Sequence, residues 1–258
     1  MVVQASCLHG WQCGQDDCAT RAGSDMSNNR LLPSPVGFIR GRFSFLLIAL
    51  FLLFLLHTFF VGHPLTLYSL SVLLLVILLA TIHALGDNRM VSLTASVLGL
   101  AALTLRWVTH VSESHVLLLI SEGVGAVFFA FIAVTILALV LRARTVTEDT
   151  VSGALCVYLL IGLVWAFLFM LLESVHPGSF RFGEGAKIAA DTAQPFSASL
   201  SLFVYFSFVT LSTVGYGDIL PLTGPARGLA TLEGIIGQFY MAVLVARFVG
   251  LYIVHSQR

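Results

Sequence analysis

Long apolar segments alternate with short polar ones along this chain, and the alternation predicts membrane-spanning helices. The apolar segments cover residues 43–62, 65–85, 90–107, 116–141, 151–172 and 225–253. Because an α-helix rises about 1.5 Å per residue, roughly 20 apolar residues cross the hydrocarbon core of a bilayer. The third segment is weaker than the others, since small and hydroxyl-bearing residues, which favour close helix packing, are frequent in it. We therefore predict six spanning helices.

A further apolar segment, residues 196–211, is too short to cross a bilayer comfortably. It follows the polar stretch 173–195 and precedes the hexapeptide 213–218, which reads TVGYGD. Irregular backbone survives at membrane depth only where it lines a cavity or is buried in protein. We therefore predict a re-entrant helix and loop here, although Gly-X-Gly alone is also typical of a surface turn.

The composition agrees with a membrane location. Hydrophobic residues make up 58% of the 258 residues and charged residues 10%, whereas soluble domains carry about 25% charged residues. The formal net charge is zero, so a nucleic-acid partner is not indicated. Three of the four cysteines fall within the first 18 residues, which leaves no disulfide framework for the membrane part.

The hexapeptide 213–218 is suited to binding a cation through its backbone. Gly215 and Gly217 alternate with Val214 and Tyr216, and glycine accepts left-handed conformations that other residues resist. Such an alternation fits a backbone whose successive carbonyl groups point to one side. A ring of these oxygens can replace the water shell of a bare potassium ion without using fixed charge.

The stretch 210–218, TLSTVGYGD, resembles the signature of the potassium channel family. The layout resembles its bacterial six-transmembrane type, with a single pore loop and without a charged voltage-sensing fourth helix. The resemblance is specific over 151–250 and only architectural over the first four spans. It implies an all-α membrane protein with six transmembrane helices, a re-entrant pore helix and a selectivity-filter loop between helices five and six, in a tetrameric pore.

This resemblance divides the chain as follows: a cytoplasmic, mostly disordered tail (1–42), a four-helix transmembrane region (43–141), a linker (142–150), a pore domain (151–253) and a short cytoplasmic tail (254–258). The expected parts of the pore domain are the outer helix 151–172, turret 173–195, pore helix 196–211, filter 213–218 and inner helix 225–253.

The resemblance also implies roles for individual residues. The expected K+ ligands are the backbone carbonyl oxygens of Thr213, Val214, Gly215 and Tyr216, with the Thr213 hydroxyl. Filter support is expected from Thr210, Gly217 and Asp218. Tyr216 would brace the filter from behind, and Asp218 would concentrate cations at its outer mouth.

The sixth span contains candidates for movement. Gly237 and Gly234 are expected to hinge the inner helix or to allow tight packing, because glycine is unfavourable inside a helix. Apolar side chains from several subunits can close a pore by dewetting, and Val245, Phe248 and Val249 are the gate candidates. Glu233, a rare carboxyl group within a span, is expected either to pair with the pore-helix region or to face the turret.

The orientation follows from the Lys and Arg residues beside the spans. With the N-terminus inside, the cytoplasmic segments hold nine of these thirteen cations, at positions 21, 30, 40, 42, 89, 142, 144, 247 and 258. Six spans then place both termini in the cytoplasm and the filter at the outer mouth. We expect a multi-pass protein of the cell (inner) membrane.

One filter strand cannot surround an ion, so the expected partners are three further copies of the chain, in a homotetramer, and membrane lipid. We expect no cofactor besides K+ as permeant ion, no structural metal, and no enzymatic activity, since no nucleophile elbow, zinc-helix motif or phosphate loop is present. The alternatives are a nonselective monovalent cation channel, a potassium transporter and a non-conducting channel-like subunit.

Cysteines and histidines suggest two other kinds of site. Cys7, His9, Cys13 and Cys18 are potential zinc ligands, but their spacing favours an ordinary flexible tail. Six histidines lie near span ends, at positions 57, 63, 83, 110, 115 and 176. Their placement argues against haem, because paired axial ligands should face one another at matching depth.

We predict little or no intrinsic voltage dependence. A charged fourth helix gains about 2.3 kcal/mol per charge per 100 mV, yet residues 116–141 contain neither Arg nor Lys. Patch recordings of the reconstituted protein should show open probability that changes shallowly with voltage. A steep, saturable dependence with several gating charges per subunit would contradict this interpretation.

Overall fold

The structure, a computed structural model, describes residues 41–59, 66–85, 89–112, 114–143, 145–183 and 195–256. Over these ranges the chain forms seven helices and two short strands: α1 (Arg42–Phe59), α2 (Thr66–Leu85), α3 (Arg89–Val111), α4 (His115–Arg142), α5 (Glu148–Val175), β1 (Phe180–Phe182), α6 (Pro195–Leu211), β2 (Ile219–Pro221) and α7 (Gly224–Ser256). The predictions for the N-terminal cysteines and His9 lie outside the described residues.

Four helices in this part of the chain, α3, α4, α5 and α7, are long and apolar enough to cross a membrane by length and composition. The apolar stretches described within α1, α2 and α6 are shorter, at Phe43–Leu55, Leu74–Ala84 and Ser199–Leu211. A mostly helical chain with several such helices fits the predicted class of all-α membrane protein.

Two helix ends differ from the predicted bounds at the linker 142–150. Helix α4 includes Arg142, and α5 already begins at Glu148. The early start has a local cause: the Thr147 side chain accepts a hydrogen bond from the Thr150 amide, and Glu148 and Asp149 place negative charge in the first turn. Asp149 also accepts a hydrogen bond of 2.9 Å from the Phe43 amide, which joins the starts of α5 and α1.

Helix α5 lies at the centre of the protomer. It packs against α1, α4, α6 and α7, and Cys156, Val157, Leu160, Ala166 and Phe169 on it are fully buried. In a bilayer the lipid tails are as apolar as these side chains, so close van der Waals packing rather than exclusion of water holds such helices together. Helix α5 therefore fixes the positions of the elements around the loop 213–218.

The two strands form a small antiparallel sheet that was missed in the sequence. Phe180 pairs with Pro221, Arg181 with Leu220 and Phe182 with Ile219. Strands of three residues are too short for an alternating pattern to stand out. The sheet ties part of the predicted turret, 173–195, to the segment that follows the loop. Within that predicted turret, the structure also extends α5 to Val175.

Aromatic side chains of α5 and β1 pack against one side of helix α6. Ring pairs with centroids 5.1 to 5.9 Å apart connect α5, β1 and α6, and the rings belong to Trp165, Phe169, Phe180, Phe182, Phe203 and Phe206. All but the Trp165 contact are edge-to-face, a geometry that contributes about 0.5–1.5 kcal/mol per pair beyond burial. The cluster fixes one side of α6 against α5 and β1.

Helix α7 is much less covered than α5 within one chain. Only 6% of the most apolar stretch of α7 is buried within the chain, against 56% for the corresponding stretch of α5. Large apolar side chains, including Leu232, Ile236, Phe239, Val243 and Val249, stay exposed along it. An apolar helix face of this length is free to meet lipid or further protein.

Candidate functional site

The loop 213–218 has an alternating backbone conformation. Thr213, Gly215 and Gly217 have positive φ angles of 58°, 61° and 78°, while Val214 and Tyr216 between them do not. The glycines adopt this left-handed region without strain, but Thr213 does so at a cost of roughly 1–2 kcal/mol. The positive φ angles of the two glycines agree with the conformation predicted from the sequence, whereas the strained φ of Thr213 was not predicted.

Three amide groups of the loop bind the end of α6. The Thr213 amide donates to the Thr210 carbonyl oxygen at 3.0 Å, and those of Val214 and Gly215 donate to the Val209 carbonyl oxygen at 2.9 and 3.4 Å. In a trans peptide the N–H and C=O groups point in opposite directions, and no cis bond occurs in the described residues. The carbonyl oxygens of Thr213 and Val214 therefore point away from α6.

The second half of the loop is tied to α6 and β1 through Asp218. The Tyr205 hydroxyl donates to Asp218 Oδ2 at 2.8 Å, and the Ile219 amide donates to Oδ1 at 3.1 Å. The Gly183 amide donates to the Asp218 carbonyl oxygen at 2.8 Å. The Tyr205 ring also lies parallel to that of Tyr216, with centroids 6.3 Å apart. Tyr205 thus contacts both the loop carboxylate and the loop aromatic ring.

The structure separates the two glycines of α7 that were predicted as hinge residues. A Cβ atom on Gly237 would lie 2.7 Å from the Leu211 carbonyl oxygen, whereas one on Gly234 would meet nothing within 4 Å. Gly237 therefore lets α7 approach the C-terminal end of α6. Helix α7 is continuous through both positions, and hinging at either glycine stays a prediction.

Glu233 faces α6, one of the two directions left open from the sequence. It is fully buried, and its Oε1 atom lies 2.5 Å from the Ser207 hydroxyl. Ser207 in turn lies 2.7 Å from the Gly162 carbonyl oxygen on α5. Ser207 and Gly162 were not identified from the sequence, because neither belongs to a recognisable motif.

The gate candidates do not share one environment. Val245 and Val249 are exposed in the protomer, while Phe248 packs against the buried core. Between them, Arg247 donates hydrogen bonds to the carbonyl oxygens of Leu141 and Ala143 at the end of α4. A cation at a helix C-terminus is favourable, so Arg247 connects α7 to the end of α4. The sequence had indicated only that Arg247 is a positive charge beside the sixth span.

Among the residues that the structure describes, no group of three His, Cys, Asp or Glu side chains is placed to hold a metal ion. The polar groups described above are the backbone of the loop, the Tyr205–Asp218 hydrogen bond and the buried Ser207–Glu233 contact.

The segment that contains this loop is similar to a known protein family. Residues 153–253 match the family described as an ion channel, which supports an ion channel family for this part of the chain. Protein LctB from Bacillus caldotenax is 36% identical over 98 residues, which cover 36% of this chain and 64% of that protein. The alignment thus leaves about a third of LctB unmatched. No solved structure matches the chain significantly.

We predict that Gly237→Ala lowers stability and that Gly234→Ala does not. The added methyl group at 237 collides with the Leu211 carbonyl oxygen, and such overpacking costs roughly 1–3 kcal/mol. At 234 the space is open, and alanine is the better helix former. Thermal unfolding of the purified protein in detergent measures both. Equal losses of stability for the two variants would contradict the packing explanation.

Proposed function

We propose that the protein is a potassium-selective ion channel that conducts K+ passively across the membrane as a homotetramer, with little or no intrinsic voltage sensing. The observation that carries the proposal is the alternating left-handed backbone at Thr213, Gly215 and Gly217. This loop lies directly after the end of α6 and inside the segment that matches an ion channel family.

The loop supplies oxygen ligands without fixed charge. Because the amides of Val214 and Gly215 are bound to α6, the carbonyl oxygens of Thr213 and Val214 are turned to the opposite side. The alternation of positive and negative φ angles continues through Gly217. This supports the same direction for the carbonyl oxygens of Gly215 and Tyr216. Carbonyl oxygens in this arrangement are the ligands that replace the water of a potassium ion.

Four copies are needed because one chain supplies one strand of ligands. The exposed apolar side chains of α7, such as Ile236, Phe239 and Val243, fit a helix that packs against neighbouring copies and lines their common axis. A closed ring with fourfold symmetry would bring four loops to one axis. Helix α6 would then direct its C-terminal partial negative charge toward the ion path, which favours cations.

The proposed topology has six spans, formed by α1 to α5 and α7, with α6 re-entrant. Arg247 binds the end of α4, so the C-terminal parts of α4 and α7 lie at the same end of the bundle. The excess of Arg beside the spans favours the cytoplasm for that end. The loop then lies toward the outside, in a protein of the cell (inner) membrane whose termini are both cytoplasmic.

Ion flux into liposomes tests the proposal. We predict that the parent protein conducts K+ and Rb+ much faster than Na+. Gly215→Ala should abolish this selectivity, because Gly215 has a φ of 61° and a Cβ atom there costs roughly 1–2 kcal/mol. The matched control is Gly224→Ala, which adds the same methyl group in open space at the start of α7.

Equal Na+ and K+ flux in the parent would reject potassium selectivity and favour a nonselective monovalent cation channel. Absence of any flux from a folded, assembled protein would favour the transporter or the non-conducting subunit.

A further inference from the structure

A fully buried polar contact joins α5, α6 and α7 about one turn before the end of α6. The Ser207 hydroxyl on α6 lies 2.7 Å from the Gly162 carbonyl oxygen on α5 and 2.5 Å from Glu233 Oε1 on α7. Ser207 and Glu233 are both 0% exposed within one protomer. A neighbouring copy of the chain therefore cannot reach them, and the contact is complete within one chain.

The number of hydrogens in this contact defines the state of Glu233. A serine hydroxyl carries one hydrogen, and a peptide carbonyl only accepts. At 2.7 Å the contact with Gly162 is a hydrogen bond only if Ser207 donates to that carbonyl oxygen. The hydrogen between Ser207 and Glu233 must then come from the carboxyl group, because two oxygens without a hydrogen between them repel at 2.5 Å.

The surroundings of Glu233 agree with a neutral carboxyl group. Its Oε2 atom is buried without a hydrogen-bond partner, and in the described part of the chain no cation forms an ion pair with it. An ionised carboxylate here would leave a charge in a membrane interior with a single neutral partner, which is strongly unfavourable. A protonated carboxyl group leaves one unsatisfied oxygen instead.

The Ser207–Glu233 contact lies next to the α6 residues that bind the loop 213–218. Glu233 and Gly237 are one turn apart on α7, and they meet Ser207 and Leu211, which are one turn apart on α6. Val209, between the two α6 contacts, accepts the hydrogen bonds from the Val214 and Gly215 amides. A shift of α6 at Ser207 would therefore move the group that orients the loop carbonyls.

We propose that Glu233 is a positioning residue whose protonated carboxyl group donates to Ser207 and so fixes α6, and through it the loop 213–218, between α5 and α7. The inference rests on the proposed function, since its consequence for ions assumes that the loop is the selectivity filter. Its structural part, a neutral carboxyl link between two helices, does not.

Four variants test this role. Glu233→Gln keeps a neutral donor for Ser207 and should retain the parent K+/Na+ flux ratio. Glu233→Ala and Ser207→Ala remove the link and should lower that ratio about tenfold, as expected for loss of one buried hydrogen bond. Glu122→Ala is the matched control, because Glu122 is also buried and bound to a serine, Ser174, but lies on α4. It should lower thermal stability without changing the ratio.

Infrared spectroscopy supplies a readout that is independent of conduction. The parent should show the carbonyl stretching band of a protonated carboxyl group at neutral pH, and the Glu233→Gln variant should lose part of it. Thermal unfolding should place Glu233→Gln near the parent and Glu233→Ala below it.

Two results would overturn the inference. One is that Glu233→Gln behaves like Glu233→Ala and leaves the infrared band unchanged, which would mean an ionised carboxylate. The other is that Glu233→Ala and Ser207→Ala keep the parent flux ratio. If the parent itself conducts without selectivity, the proposed function fails, and the infrared band and the order of thermal stabilities still decide whether the protonated link exists.

Discussion

Backbone amides beyond the end of a helix need hydrogen-bond partners wherever water is excluded, because an unpaired buried amide is costly. The loop after α6 meets this constraint on one side only: the amides of Thr213, Val214 and Gly215 bind carbonyl groups of the last α6 turn. The carbonyl groups of the same peptides therefore point away from α6 and are free to bind a cation. The arrangement requires left-handed residues at alternate positions, one of them the strained Thr213.

The remainder of the protomer holds α6 in place. Aromatic rings from α5 and β1 pack against one side of it, the Tyr205–Asp218 bond joins it to the end of the loop, and α7 meets it at Glu233 and Gly237. Helix α5 connects these supports to α1 and α4. Helix α1 also contacts α6 directly, since the Phe54 and Phe208 rings lie edge-to-face with centroids 5.3 Å apart, and Arg247 joins α7 to the end of α4.

The hydrophobic pattern and the alternating glycines predicted part of this fold. Long apolar segments marked the helices, with ends within a few residues of those observed, and the alternating glycines of 213–218 marked the loop. Other parts depend on contacts between distant segments. The sheet between Phe180–Phe182 and Ile219–Pro221 is too short to show a period, and the Ser207–Glu233 contact joins residues 26 positions apart. The direction of Glu233 was decided by tertiary packing alone.

We propose that loop carbonyl oxygens from several copies surround a dehydrated cation. An experimental structure of the assembled protein, determined in a bilayer-like environment with Rb+ or Tl+ in place of K+, tests it most directly. We expect ions on a fourfold axis, coordinated by the carbonyl oxygens of Thr213, Val214, Gly215 and Tyr216. An assembly whose 213–216 carbonyls face away from the symmetry axis, or whose loop lies outside the bilayer without bound ions, would contradict it.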